Sequence, residues 1–293
     1  MMKIALFGQY YQNNTEAIVT KVIEVLNNYN IELVIEEQFY TIISKILKSD
    51  YKTFSNHEEL DSSFEALISV GGDGTILRAV TYVRDKKIPI VGINAGRLGF
   101  LATVQYDNIE ELLPKVIAKD YLISKRSLLS LRCEPRNPDL VDLNFALNEI
   151  SVSRKDTTSM ITIETSLNGE YLNSYWADGL IISTPTGSTG YSLSCGGPVL
   201  MPDVNSLVIT PIAPHNLNAR PLVITDDTEI QLKVSGREEQ YLVSLDSRIT
   251  SVTNETTLFI KKTPFQINMI EFQEEGFAKT IRKKLLWGED RRN

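Results

Sequence analysis

Ser69-Val70-Gly71-Gly72-Asp73-Gly74-Thr75 is the stretch around which this chain is organised. The apolar run Phe64-Glu65-Ala66-Leu67-Ile68-Ser69-Val70 leads into it, and Thr75-Ile76-Leu77-Arg78-Ala79-Val80-Thr81-Tyr82-Val83 leaves it with apolar residues at helical spacing. The reading is strand, glycine-rich turn, helix N-terminus. Glycines there free φ and remove the Cβ atoms that would hold a ligand away from the backbone. Backbone N–H groups and the positive end of the helix dipole then face whatever occupies the turn, which suits a phosphate. Asp73 is an odd residue for anion binding alone. It fits a group that holds a metal ion or takes a proton from a hydroxyl. The plainer alternative is that Asp73 caps the helix.

Outward from this turn, short apolar strands alternate with amphipathic helices. Residues 3–7, 31–35, 67–70 and 88–93 read as buried strands. Residues 14–29 read as a helix, with Asn13 or Asn14 at its start, residues 39–47 as a second helix and residues 109–119 as a third. Such alternation implies a Rossmann-like α/β domain with a parallel sheet, in which ligands gather beyond the carboxyl ends of the strands. The loop Asn94-Ala95-Gly96-Arg97-Leu98-Gly99-Phe100-Leu101 leaves another strand at that same end.

After Tyr121 the pattern changes to short β-branched runs divided by turn signals, and no long helix is expected between Ser124 and Lys262. This reads as an all-β, sandwich-like domain. Asn168-Gly169 is a two-residue hairpin signal. The expected domains are 1–123, joined by 263–293, and 124–262. Residues 277–287 read as a basic amphipathic helix packing back on the first domain, its charges on a solvated face.

The chain has 293 residues and 42% hydrophobic residues, enough for full cores. A net charge of −7 argues against a nucleic-acid surface. The two cysteines, Cys133 and Cys195, and the two histidines, His57 and His215, have no metal-type spacing. A reduced, cytoplasmic setting is expected, with no signal peptide and no apolar run long enough to span a bilayer.

Two further stretches carry chemistry. Leu147-Asn148-Glu149-Ile150 sets a polar pair inside an apolar strand, either as a binding pair or as an exposed edge. Asp178-Gly179-Leu180-Ile181-Ile182-Ser183-Thr184-Pro185-Thr186-Gly187-Ser188-Thr189-Gly190-Tyr191-Ser192-Leu193-Ser194-Cys195-Gly196-Gly197-Pro198 runs from a buried strand into a segment dense in hydroxyls and glycines. Hydroxyls and backbone N–H groups suit ribose and phosphate oxygens, and Tyr191 suits a base. The alternative is a polar surface loop.

Together these three motifs resemble the NAD kinase family. The glycine turn alone is shared with diacylglycerol and sphingosine kinases, whereas the two later motifs are more specific. The resemblance implies an α/β domain, a β domain, and transfer of the γ-phosphoryl of ATP to the 2′-hydroxyl of the adenosine ribose of NAD, with Mg²⁺. By position, Asp73 matches the general base, with Gly71, Gly72, Gly74 and Thr75 beside it. Arg78 matches a basic dinucleotide contact, and Asn148 and Glu149 the pair that grips adenosine. Thr189, Gly190, Tyr191, Ser192, Leu193 and Ser194 match the loop around adenine and ribose; Gly190 stands where relatives usually have Ala. Asp178 and Ala213 match nicotinamide-side contacts, Asp178 from a neighbouring subunit in the family, which implies a homo-oligomer, a tetramer or a dimer. Asp246 matches a strand-end acid, with Arg248 in place of a more usual neutral residue, and Trp176 stands where some relatives carry Arg.

No P-loop pattern is present. Three other readings are open: a lipid kinase sharing the glycine turn, a non-catalytic NAD-binding regulator, and a sugar or polyol kinase. The first would carry a membrane-facing surface and the second a partner or DNA module, and the sequence shows neither clearly.

Overall fold

Short, fully apolar strands set between helices with one apolar face can bury themselves only as a parallel sheet covered on its faces, and residues of the first half of the chain do so. The computed structural model describes residues 1–9, 14–96, 98–155, 159–273 and 276–287. It divides into two units, Met1–Lys125 with Ile267–Asn293, and Arg126–Gln266.

The first unit contains β1 (Met2–Gly8), α1 (Thr15–Asn27), β2 (Ile31–Glu36), α2 (Glu37–Ile43), β3 (Lys52–Phe54), β4 (Phe64–Gly71), α3 (Asp73–Val83), β5 (Ile90–Asn94) and α4 (Ile109–Ala118). Its strands pair in the order β5-β4-β1-β2-β3, all parallel. Ile18, Val19 and Val22 of α1 and Leu112, Leu113 and Val116 of α4 fill one core with Ile4, Leu6, Ile68 and Ile93. The residues that leave the sheet at its carboxyl edge are Gly8, Glu36, Gly71 and Asn94.

The second unit is built from β6 (Leu122–Glu134), which begins just ahead of the unit boundary, β7 (Phe145–Ala146), β8 (Glu149–Arg154), β9 (Ile161–Leu167), β10 (Glu170–Ala177), β11 (Gly179–Ser183), the single turn α5 (Tyr191–Ser194), β12 (Ser206–Ile212), β13 (Leu222–Thr225), β14 (Ile230–Ser235), β15 (Gln240–Leu245), β16 (Arg248–Thr253) and β17 (Thr257–Glu271). One sheet runs β10-β9-β14-β17, with β6 beside β17 and β7 beside β6; the other runs β13-β12-β11-β8-β15-β16. Alternating positions such as Ile230, Leu232 and Val234 on β14 and Tyr241, Val243 and Leu245 on β15 enter a common core with Ile150, Leu180 and Ile182. The β9–β10 hairpin turns on Asn168 at φ +50° and Gly169 at φ +84°, the mirror-image turn that strand twist favours. β17 ends in the first unit, where Met269 pairs parallel with Ile90, and α6 (Phe277–Leu285) follows. Phe277 of α6 lies 6.4 Å ring to ring from Phe100 of the first unit.

The structure departs from the sequence reading in places. Leu147-Asn148-Glu149-Ile150 reads as part of one strand, but β7 and β8 are separated by Leu147 and Asn148. The carboxylate of Asp246 accepts the N–H groups of Leu147, Asn148 and Glu149, so those donors are turned away from a ladder. β3, β13 and β16 carry little or no buried apolar pattern and were not expected. β17 runs on to Glu271, ten residues beyond the 257–261 run that reads as a strand; polar and apolar positions alternate irregularly after residue 261, so that part carries no strand signal. Residues 39–47 hold one short helix followed by a 3₁₀ turn at Ser44–Ile46. Asn13 and Arg97 lie outside the described residues, and Asn14, at the start of α1, makes no side-chain cap.

Candidate active site

The first group of residues sits at the carboxyl edge of the parallel sheet. Gly71 closes β4 at φ +154°, and a Cβ there would fall 2.2 Å from Thr75 Oγ1, so glycine is obligatory. Gly72 and Gly74 differ: their φ values are not positive and a Cβ on either would meet nothing within 4 Å. Neither needs to be glycine for the fold, and Gly74 lies inside a helix, where glycine costs about 1 kcal/mol relative to alanine. Open backbone is left at the mouth of α3, beside Asp73.

Asp73 does not cap α3. Gly72 holds the cap position, without a side-chain bond, and the Asp73 carboxylate reaches across to the loop after β5. Its Oδ2 accepts the N–H of Phe100 at 2.8 Å, and its Oδ1 accepts those of Leu101 and Ala102, both at 3.0 Å. The loop is braced from below by buried Asn94, whose Oδ1 accepts from Gly96 N at 2.7 Å and whose Nδ2 donates to the Ala102 carbonyl at 3.3 Å. Arg78 is exposed one turn along α3 from Gly74. At the end of β2, buried Glu36 accepts from Phe39 N at 2.8 Å and from the Tyr82 hydroxyl at 3.3 Å. Burial and the Glu36 charge push the Tyr82 hydroxyl above its ordinary range. The sequence reading placed the loop 94–101 at this end of the sheet, but it missed Glu36, the bracing by the Asn94 side chain and the use of the amides of residues 100–102 as donors to Asp73. A lone acid closing a strand and bare backbone donors carry no motif.

The second group lies within the β unit. Asp246, at φ +53° after β15, is buried, and its carboxylate accepts from Asn148 N at 2.8 Å, Leu147 N at 3.0 Å and Glu149 N at 3.3 Å. Arg248 donates to the carbonyls of Leu143, at 2.7 Å, and Phe145, fixing the approach to the same segment. Burial raises the Asp246 carboxyl despite these donors. Asn148 Oδ1 and Glu149 Oε2 are buried with no hydrogen-bond partner. Burial, helped by the Asp246 charge and opposed by the Tyr191 N–H, lifts the Glu149 carboxyl to about 8.

The hydroxyl-rich segment folds tightly over this pair. A Cβ on Gly187 would lie 2.1 Å from the Asn148 carbonyl oxygen, and one on Gly190 would lie 3.1 Å from Glu149 Oε2. Most of its hydroxyls are spent internally, contrary to the expectation that they face a ligand. Thr184 Oγ1 donates to Leu147 O at 2.6 Å, Ser188 Oγ to Pro185 O at 2.7 Å and Thr189 Oγ1 to Thr186 O at 3.1 Å, and Ser192 Oγ pairs with Thr210 Oγ1 at 2.8 Å. Gly190, Tyr191, Leu193 and Ser194 keep exposed or half-exposed surface, while Ser192 is fully buried.

Asp178 and Ala213 are not part of this cluster. In β8 and β11, Glu149 faces Ser183 whereas Ser153 faces Gly179, so Asp178 is at the opposite end. Five strand residues separate the ends, roughly 17 Å at ~3.4 Å each. There Asp178 pairs with Arg154 at 3.1 Å, and Ala213 turns at φ +44° after β12. Burial chiefly raises the Tyr191 hydroxyl, with Cys195, Asp178 and Glu149 adding to the rise.

Comparison with known proteins bears on both groups. Residues 4–121 match the ATP-NAD kinase N-terminal domain and residues 147–272 the ATP-NAD kinase C-terminal domain. The chain is 70% identical to an NAD kinase of Flavobacterium psychrophilum over 294 residues, covering 100% of both, and 42% identical to one of Cytophaga hutchinsonii, again covering 100% of both. An Archaeoglobus fulgidus NAD kinase in complex with ATP superposes with a TM-score of 0.74 at 27% identity, over 95% of this chain and 98% of that one. Yeast NADH kinase complexed with NADH shares the fold, with a TM-score of 0.89 at 21% identity over 99% of this chain and 89% of that one. Matched in both units and along its whole length, the chain belongs to the NAD kinase family.

Proposed function

We propose that this chain transfers the γ-phosphoryl group of ATP to the 2′-hydroxyl of the adenosine ribose of NAD, giving NADP. The observation that carries the site assignment is the pair of orphaned buried acceptors, Asn148 Oδ1 and Glu149 Oε2, beneath the Gly187–Gly190 backbone. Leaving such groups unmatched costs about 1–3 kcal/mol each, and hydroxyl and amino donors of an adenosine supply the missing bonds. Glu149, protonated near neutrality, can also donate to a ring or ribose acceptor. The exposed face of Tyr191 covers the base.

In this reading the phosphates lie against the bare backbone of Gly72, Gly74 and Thr75 at the start of α3, with Arg78 nearby. Asp73 takes the proton of the attacking hydroxyl and must first exchange the Phe100–Ala102 amides for the ribose. Phosphoryl transfer needs alignment and neutralisation of charge more than covalent help. Among the described residues no three His, Cys, Asp or Glu side chains gather to cage a metal ion. Mg²⁺ therefore fits here as an ion carried mainly by triphosphate oxygens, where it neutralises charge. Asp178 and Ala213, at the far end of β11, serve the nicotinamide half of a neighbour's dinucleotide, which makes the protein a homo-oligomer.

The direct test is NADP formation from NAD and Mg-ATP, run beside diacylglycerol and sugars. Asp73→Asn should lower kcat by about 10²–10⁴-fold, the usual worth of a general base, with little change in NAD affinity. Glu149→Ala should raise KM for NAD and leave that for ATP nearly unchanged. Phosphorylation of a lipid or sugar in place of NAD would reverse the assignment.

A further inference from the structure

A second cleft lies within the β unit, away from Asn148 and Glu149, with a volume of about 550 Å³. That is within the usual size of small-molecule sites, about 300–1,000 Å³. It lies over the sheet where β6 meets β17, under the chain segment 136–144. Residues two apart on a strand share a face, and Arg132 of β6 stands over Phe259 of β17, its guanidinium carbon 3.9 Å from the ring centroid. Glu134, on the same face of β6, pairs with Arg132 and neutralises it. Lys261, two residues beyond Phe259, and Arg136 complete the basic side, and among the described residues neither side chain has an ion-pair partner. Among the described residues, Glu229 is the acid of the lining left without a cation. The rest of the lining includes apolar Leu140 and Val141, with Leu131 and half-buried Cys133, which alternate with Arg132 along β6 and turn towards the core.

These features select a ligand class. One face of the Arg132 guanidinium lies on Phe259, and the side chain keeps 52% of its surface, so the outer face can take a second flat π system. With Arg132 matched by Glu134, Arg136 and Lys261 against Glu229 leave the lining one positive charge in excess, which favours an anion at its basic side. Inorganic phosphate would leave the apolar wall uncovered, and a neutral ring would leave that excess charge uncompensated. We propose that this cleft binds a planar aromatic carboxylate, its ring stacked on the Arg132–Phe259 layer and its carboxylate held by Arg136 and Lys261.

Cys133 provides a readout that does not depend on catalysis. The full-length protein is alkylated with a maleimide while 2-naphthoate is titrated, and modification of Cys133 and Cys195 is followed separately by peptide mass spectrometry. At ten times its Kd, 2-naphthoate should produce a saturable heat in calorimetry and, by covering the lining around Cys133, slow its modification while leaving Cys195 unaffected. Cyclohexanecarboxylate and inorganic phosphate should protect far less. Arg136→Ala with Lys261→Ala should abolish protection, as should Arg132→Gln alone; all three side chains are exposed, and melting temperature checks the fold. The absence of both a binding heat and Cys133 protection up to the solubility limit of naphthoate would overturn the site. Equal protection by cyclohexanecarboxylate or phosphate, or protection surviving in the variants, would overturn the assigned chemistry.

Discussion

A Cβ added to Gly99 would lie 1.9 Å from Asp73 Oδ1. Only glycine at 99 lets the loop close on the carboxylate and deliver the amides of Phe100, Leu101 and Ala102. Gly99→Ala should therefore push the loop off Asp73 without touching the carboxylate itself. Losing two or three of these charge-assisted bonds should cost about 1–3 kcal/mol, read as a lower midpoint in urea. An unchanged midpoint would show that the loop shifts at no cost.

Asp246 performs the corresponding task in the β unit, and its variant should couple stability to recognition. Asp246→Asn keeps a residue type that tolerates positive φ, but it places an NH₂ group where the carboxylate accepts from Leu147, Asn148 and Glu149. We expect a loss of about 1–3 kcal/mol in unfolding free energy and a raised KM for NAD, with KM for ATP nearly unchanged. Titration with both substrates and a denaturation curve check this. A stability loss with no change in KM for NAD would mean that Asp246 supports the strand but not the binding pair.

These two clamps mark the limit of what the sequence made legible. Turn and hairpin chemistry is local, so Gly71–Thr75 and Asn168-Gly169 could be read directly, as could the alternation that fixes the parallel sheet. The Asp73 clamp joins an acid to backbone amides 27 to 29 residues later, which have no side-chain signature. Asp246 reaches Leu147 across 99 residues. Hydroxyls misled in the other direction. Thr184, Ser188 and Ser192 are the residue types a ribose site would use, yet they are buried and bonded to Leu147, Pro185 and Thr210 of the protein itself, and only the folded geometry separates the two uses.

The raised carboxyl of Glu149 makes a pH prediction whose sign is opposite to that of an ordinary salt-bridged acid. Its folded value, about 8, lies above the ordinary 4.5, so the folded state holds a proton that the unfolded chain releases. The stability this confers is complete below the ordinary value and is lost as pH rises towards the folded value. Glu149→Gln is neutral at every pH and lacks this dependence. The variant should match the wild type in melting temperature near pH 4 and exceed it by a growing margin up to about pH 8, beyond which the gap is constant. A gap that does not vary with pH would mean that Glu149 is ionised in the folded protein.

The placement of Asp178 predicts complementation between subunits. It shares β11 with the segment that covers Glu149 but stands at the other strand end, paired with Arg154. If Asp178 serves a neighbour's dinucleotide, a site takes Asp73 from one chain and Asp178 from the next. Asp73→Asn and Asp178→Asn proteins should each be impaired as pure assemblies. After dissociation and reassembly of an equal mixture, a mixed pair contains one site with both defects and one with neither. For two-fold pairing at random, half the pairs are mixed, so activity should recover to about a quarter of the wild-type value. Light scattering checks that the assemblies match in size, and melting temperatures check that loss of the Arg154 pair leaves the fold intact. If Asp178 acts within its own chain, every site in the mixture retains one defect and no recovery occurs, and a fully active monomer would exclude the shared site altogether.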